Sequence, residues 1–280
     1  MAGRLPGPEA RWAFSTLGCS GASWDELAAL AGRHGFEGLE LRVADDEPLR
    51  IGLPAHEAKV AARRLAGAGL SVVALNTYVR LCAPFEPDER RDHQSRHLSA
   101  LVTLAQGAGA SGIRVFMRDD DASPGPGMTA GEERALRRIV AVTGQCREAG
   151  IRIFVETHDS HSRGDRTARF LSSLDRHVPG HPCEVVWDAA HSWSHGEDPA
   201  ETFEAVAPWL AYVQVKDIRA ADDPVPVMIG EGSYPIDRLM ITLAAAGWRG
   251  WLSLEWERKW HPELPALDAA LARVREWVRS

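Results

Sequence analysis

Residues 151–188 read IRIFVETHDSHSRGDRTARFLSSLDRHVPGHPCEVVWD, and the order of features in this stretch sets the architecture. Two short β-branched and aromatic runs, Ile153-Phe154-Val155 and Val185-Val186-Trp187, each close on a carboxylate, Glu156 and Asp188. A longer segment of helical period separates them. Strand, helix, strand is the unit of a parallel sheet, because parallel neighbours need a crossover between them.

The same alternation continues in both directions. The strand candidates are Trp12 to Leu17, Gly38 to Val43, Ser71 to Thr77, Ile113 to Met117, Arg152 to Thr157, Glu184 to Asp188, Ala211 to Lys216 and Trp251 to Trp256. Apolar residues between them recur at helical spacing, as in Trp24, Leu27, Ala28 and Ala31, or Leu98, Leu101, Val102 and Ala105. Start signals agree: Ser23 with Glu26 forms a capping-box pattern, Pro54 opens the second helix, and Asp198 precedes Pro199. Gly67, Gly69, Gly150 and Gly247 stand where helices hand over to strands. The stretch Asp119 to Thr129, rich in Asp, Pro and Gly, reads as a surface loop or lid.

Eight such units in 280 residues predict one (β/α)₈ barrel over residues 1–280, a fold that needs about 250. A doubly wound sheet is the alternative, but no G-x-G-x-x-G follows the first strand. Hydrophobic residues at 45% and charged residues at 25% permit a full core. The net charge of −7 argues against a nucleic-acid binder, which needs a basic footprint. No stretch reaches the roughly 20 apolar residues that span a bilayer, and Met1 to Arg11 lacks an apolar run, so no membrane association and a cytoplasmic location are expected. Cys19, Cys82, Cys146 and Cys183 form no C-x-x-C pair and read as reduced thiols.

Side chains at the C-terminal ends of barrel strands point into the mouth, where chemistry is built. Four late strands run into a polar residue there: Glu156, Asp188, Gln214 and Glu255. Three carboxylates converging in one mouth repel each other unless a cation neutralises them, and a divalent metal resolves the conflict. Oxygen donors suit Mg²⁺ or Mn²⁺, and a carboxylate-rich site also takes Zn²⁺ or Co²⁺. The competing reading pairs each acid with an arginine or lysine at the rim.

The segments Val155-Glu156-Thr157-His158, Trp187-Asp188-Ala189-Ala190-His191, Val213-Gln214-Val215-Lys216-Asp217, Gly230-Glu231-Gly232 and Leu254-Glu255-Trp256-Glu257 together resemble the xylose isomerase-like TIM-barrel superfamily. Phe36 to Leu41 at the second strand extends the resemblance over essentially the whole chain. It implies that Glu156, Asp188, Gln214 and Glu255 are metal ligands, with Glu156 and Glu255 also the proton-transferring pair, and that His191 contacts substrate. It further implies a small carbohydrate substrate and a homo-oligomer. Gln214 departs from the superfamily pattern, which usually has His there.

The expected activity is isomerisation or epimerisation of a ketose or sugar derivative through an enediolate, with a dehydratase or lyase as the alternative. A non-catalytic sugar-binding barrel is the reading from another class, and Gln214 sustains it. His158, Lys216, Asn76, Glu40 and Arg80 complete the candidate substrate contacts, Arg80 for a carboxylate or phosphate. Trp12, Trp187, Trp193 and Trp256 flank the predicted site and read chiefly as packing residues.

Overall fold

Every apolar run named above forms a strand in the computed structural model, which describes residues 9–86, 92–120 and 127–279. In chain order the strands are β1 (Arg11–Ser15), β2 (Gly38–Arg42), β3 (Ser71–Arg80), β4 (Gly112–Phe116), β5 (Arg152–Glu156), β6 (Cys183–Asp188), β7 (Leu210–Val215), β8 (Asp217–Ala220), β9 (Asp223–Val227) and β10 (Trp251–Leu254). The helices are α1 (Trp24–His34), α2 (Ala55–Gly67), α3 (His93–Ala108), α4 (Ala130–Ala149), α5 (Gly164–His177), α6 (Ala189–Ser194), α7 (Pro199–Val206), α8 (Ile236–Ala245) and α9 (Leu267–Arg279).

Strands β1 to β7 and β10 pair in parallel, and β10 closes onto β1. The architecture is a closed (β/α)₈ barrel. Strands β8 and β9 form a separate antiparallel hairpin after β7, which the sequence reading did not anticipate. No helix of the described residues is long and apolar enough to cross a membrane.

Leu27, Leu65, Leu98, Ile139, Phe170 and Leu271 are buried from the helices against the outer face of the strands. Each such side chain contributes about 1.5–3 kcal/mol by leaving water. A second cluster, with Ala13, Val73, Phe154, Val186, Tyr212 and Trp251, fills the barrel interior. Bulky rings fit there because glycine faces them: a Cβ on Gly112 would lie 2.5 Å from the Phe154 ring, and one on Gly38 2.8 Å from Trp251. Cys82, Cys146 and Cys183 are buried free thiols.

Local chemistry explains where strand ends differ from the sequence reading. Ser15 accepts a hydrogen bond from the Leu17 N–H, winding Thr16–Cys19 into a 3₁₀ turn and ending β1 early. β3 instead runs on to Arg80, across a register break after Asn76. Of the loop between Asp119 and Thr129, residues 121–126 lie outside the described residues, while its two ends are joined by a hydrogen bond from Thr129 to Asp119.

The capping box of α1 forms as the sequence indicates, Ser23 accepting from the Glu26 N–H and Glu26 from the Ser23 N–H. Asp198 caps α7 ahead of Pro199, and Gly150 ends α4 in the left-handed conformation. Ser23→Ala is expected to lower unfolding free energy by about 1 kcal/mol, read as a shifted urea midpoint at unchanged slope. An unchanged midpoint would show that this cap carries no stability.

Candidate active site

Strand register brings the polar strand ends together. Asp188 stands beside Gln214, Gln214 beside Ser253, and Glu156 beside Val186. The ladder continues one residue past β10, where the Glu255 N–H donates to Val215, so Glu255 is fixed at the same level. The carboxylates of Glu156, Asp188 and Glu255 are all buried, with ligand oxygens within 4.8 Å of one another. Asp188 is held from both sides: its N–H donates to Thr157 Oγ1, and its Oδ1 accepts from the N–H groups of Ala190 and His191.

Two side-chain cations enter this cluster. Lys216 Nζ lies 2.7 Å from Asp188 Oδ2, 2.7 Å from Glu255 Oε2 and 2.5 Å from Glu257 Oε1, and Arg114 Nε lies 2.9 Å from Glu156 Oε2. The repulsion among the acids is thus partly relieved by the protein itself. Lys216 pairs with these three acids and not with its neighbour Asp217.

The electrostatics follow from burial and these pairs. Burial raises the Asp188 carboxyl to about 8, against the pull of Lys216 and with Glu255 and Glu156 adding to the rise. Burial also raises Glu156, opposed by Arg114. Burial works the same way on Glu255, yet Lys216 and Arg114 outweigh it and hold that group down at about 2. The acids therefore differ in proton affinity, as acid–base chemistry requires.

Gln214 is fully buried, and its Nε2 donates to Glu40 at 2.9 Å and Glu255 at 3.3 Å. Its Oε1 has no hydrogen-bond partner among the described residues. The clustered oxygens of Glu156, Asp188 and Glu255 are a donor set suited to a hard or borderline cation, so this acidic triad could hold a metal. The Lys216 ammonium shares two of those carboxylates and would have to give way.

Glu40 lies beneath this group, completely buried, accepting from Tyr212 and Gln214; burial and then Glu255 raise its pKa. Asn76 is buried beside it. Glu40 thus orients Gln214, while Arg80 is exposed on the rim, where its charge acts on Asp159.

His158 and His191 both reach the mouth, their rings 4.3 Å apart. His158 Nδ1 lies 3.2 Å from Asp159 Oδ2. Burial disfavours its cation, but Asp159 and Glu156 outweigh burial and raise its pKa. His191 is pushed well down by burial, then by Lys216 and His158. Trp12 packs edge-on against Phe36, Trp187 is buried near Phe203, and Trp256 donates to the Pro265 carbonyl. These tryptophans pack, and Trp193 leans on Tyr234.

A cavity of about 180 Å³ opens beside the acids, with Lys216, His191, Glu257 and His261 in its wall. Pro224 and Val225 of the β8–β9 hairpin close its outer side. Asp217 anchors that hairpin by accepting from the N–H groups of Ile218, Gly230, Gly232 and Tyr234.

Sequence reasoning missed Arg114, Asp159, Tyr212 and Glu257 as parts of the site. Arg114 had a usable signal, as the cation inside the apolar run Gly-Ile-Arg-Val-Phe next to the strand bearing Glu156.

Comparison with known proteins places these features. A stretch of 74 residues is 36% identical to a Streptomyces coelicolor protein with a provisional assignment as hydroxypyruvate isomerase, covering 26% of this chain and 25% of that one. A Bacillus anthracis protein described as a probable 3-DHS dehydratase shares the fold at TM-score 0.73 and 19% identity, over 94% of this chain and 98% of that one. The 3-keto-D-glucoside 4-epimerase of E. coli does so at TM-score 0.71 and 13% identity, over 96% and 99%. The model of the family described as xylose isomerase-like TIM barrel matches residues 28–279, and the chain belongs to that family.

Proposed function

We propose that this protein is an enzyme that isomerises or epimerises a small polyhydroxylated ketone by moving a proton at the carbon beside its carbonyl. The observation that carries the reading is the meeting of Glu156, Asp188 and Glu255, buried and from three separate staves, at the mouth of a closed barrel. Glu156, Asp188, Gln214 and Glu255 would hold a divalent ion such as Mn²⁺, Mg²⁺, Co²⁺ or Zn²⁺. A bound ion of this kind supplies Lewis acidity, which polarises a carbonyl and weakens the adjacent C–H bond.

Glu156 on β5 and Glu255 after β10 stand three staves apart in the barrel. They can therefore address a bound molecule from different sides, one taking the proton and the other returning it. His191 and Lys216, both in the cavity wall, donate to substrate oxygens. Apolar packing around the acids excludes water and strengthens each of these interactions.

The test is incorporation of solvent deuterium into candidate ketoses and ring ketones by the purified protein with added Mn²⁺, followed by NMR. Exchange with at least one substrate is expected, and no exchange with any would retire the proposal. A second reading, dehydration, is favoured by His158. Asp159 and Glu156 favour the protonated form of that ring near the acids, where it can protonate a departing hydroxyl. Loss of water with a new ultraviolet enone absorption would identify it.

A further inference from the structure

Four rings line one wall of the mouth that the proton-transfer scheme leaves largely unused. Tyr78, Phe116, His158 and His191 stand in sequence across the ends of β3, β4, β5 and β6, each touching the next. Their centroids are 6.5 Å apart from Tyr78 to Phe116, 4.7 Å from Phe116 to His158, and 4.3 Å from His158 to His191. All four present surface to solvent: Tyr78 is 43% exposed, Phe116 is half-buried, and the His158 and His191 side chains are 27% and 25% exposed.

Polar partners fix the row. The Tyr78 hydroxyl accepts from Arg42 Nε at 2.7 Å, Phe116 rests over the Arg114 guanidinium at 4.2 Å, and Asp159 holds His158. The rings therefore form a pre-organised surface, with little freedom left to lose when a ligand arrives.

Such a surface discriminates between molecular shapes. A six-membered polyol ring carries a rigid face of C–H groups that can lie flat on aromatic rings, while its hydroxyls project from the edge. An open-chain ketose presents hydroxyls on all sides and must freeze several torsions to bind. His191 ends the row and also lines the 180 Å³ cavity, so the row and that cavity meet at this one residue. The Phe116 and His158 centroids, 4.7 Å apart, are close enough for one six-membered ring to cover both.

We propose that the substrate binds as a single six-membered polyhydroxylated ring ketone, its C–H face on Phe116 and His158 and its carbonyl edge toward Glu156, Asp188 and Glu255. The orientation of the edge rests on the proton-transfer reading above; the stacking of the face does not.

The test measures equilibrium binding by tryptophan fluorescence titration, with 2-keto-myo-inositol and methyl 3-keto-β-D-glucopyranoside as ring probes. D-Erythrulose serves as the hydroxyketone too short to close a stable ring. In the unaltered protein at least one ring ketone should saturate the site and bind more tightly than erythrulose. Phe116→Ala should weaken that ring ketone by about tenfold and leave erythrulose unchanged. Phe116→Trp, which keeps a flat face over Arg114, should retain binding within about twofold, separating lost stacking from lost structure. Equal weakening of both classes in Phe116→Ala, tighter binding of erythrulose, or no saturable binding of either ring ketone would overturn the inference. Ring-ketone binding without deuterium exchange would uphold this subsite and remove the proton-transfer reading instead.

Discussion

Glu156→Gln is expected to lower the rate of solvent-deuterium exchange by about 10²–10⁴, the range a positioned acid–base group contributes. Glutamine keeps the length of the side chain and an oxygen able to accept from Arg114, now 2.9 Å from the carboxylate. It cannot take up a proton. Because the amide matches the carboxylate in shape, the exchange should collapse while the fold survives, and circular dichroism melts beside the NMR assay separate the two. A folded variant exchanging within about tenfold of the unaltered protein would show that Glu156 moves no proton.

The second large effect concerns Lys216. In metal-free protein, Lys216→Met should cost about 3–5 kcal/mol of unfolding free energy, because Asp188, Glu255 and Glu257 lose their shared counter-ion in a buried setting. Added Mn²⁺ should return more stability to the variant than to the unaltered protein, since the ion no longer competes with an ammonium for Asp188 and Glu255. Ligand binding stabilises the folded state by an amount that grows with its affinity, so urea unfolding with and without Mn²⁺ reads the competition directly. Equal stabilisation of both proteins would mean that the ammonium does not stand in the ion's way.

The fold was legible because each barrel stave is an apolar run bounded by caps and glycines, signals written in neighbouring residues. The acids were legible for a related reason: a carboxylate ending an apolar strand, as in Phe154-Val155-Glu156 or Val186-Trp187-Asp188, has few structural uses. What neutralises them was not. Lys216, Asp188 and Glu257 meet only after the barrel closes, and no local pattern distinguishes a lysine bound by three acids from one facing solvent. Arg114 stood out as a cation inside an apolar run, but its pairing with Glu156 was not legible, since alternation along β4 does not tell the inner face of a closed barrel from the outer one. Glu40 read from sequence as a substrate contact, whereas its hydrogen bonds to Gln214 and Tyr212 exist only once β2 and β7 face each other across the closed barrel.

The hairpin tied down by Asp217 separates two tasks within one mouth. The three buried acids stand on staves that cannot shift without opening the barrel, whereas Pro224 and Val225 sit on an appended hairpin held chiefly through Asp217. Surface loops tolerate changes of length far better than core strands do. A change in the length of that flap would therefore alter the size of the opening while leaving the arrangement of the acids intact.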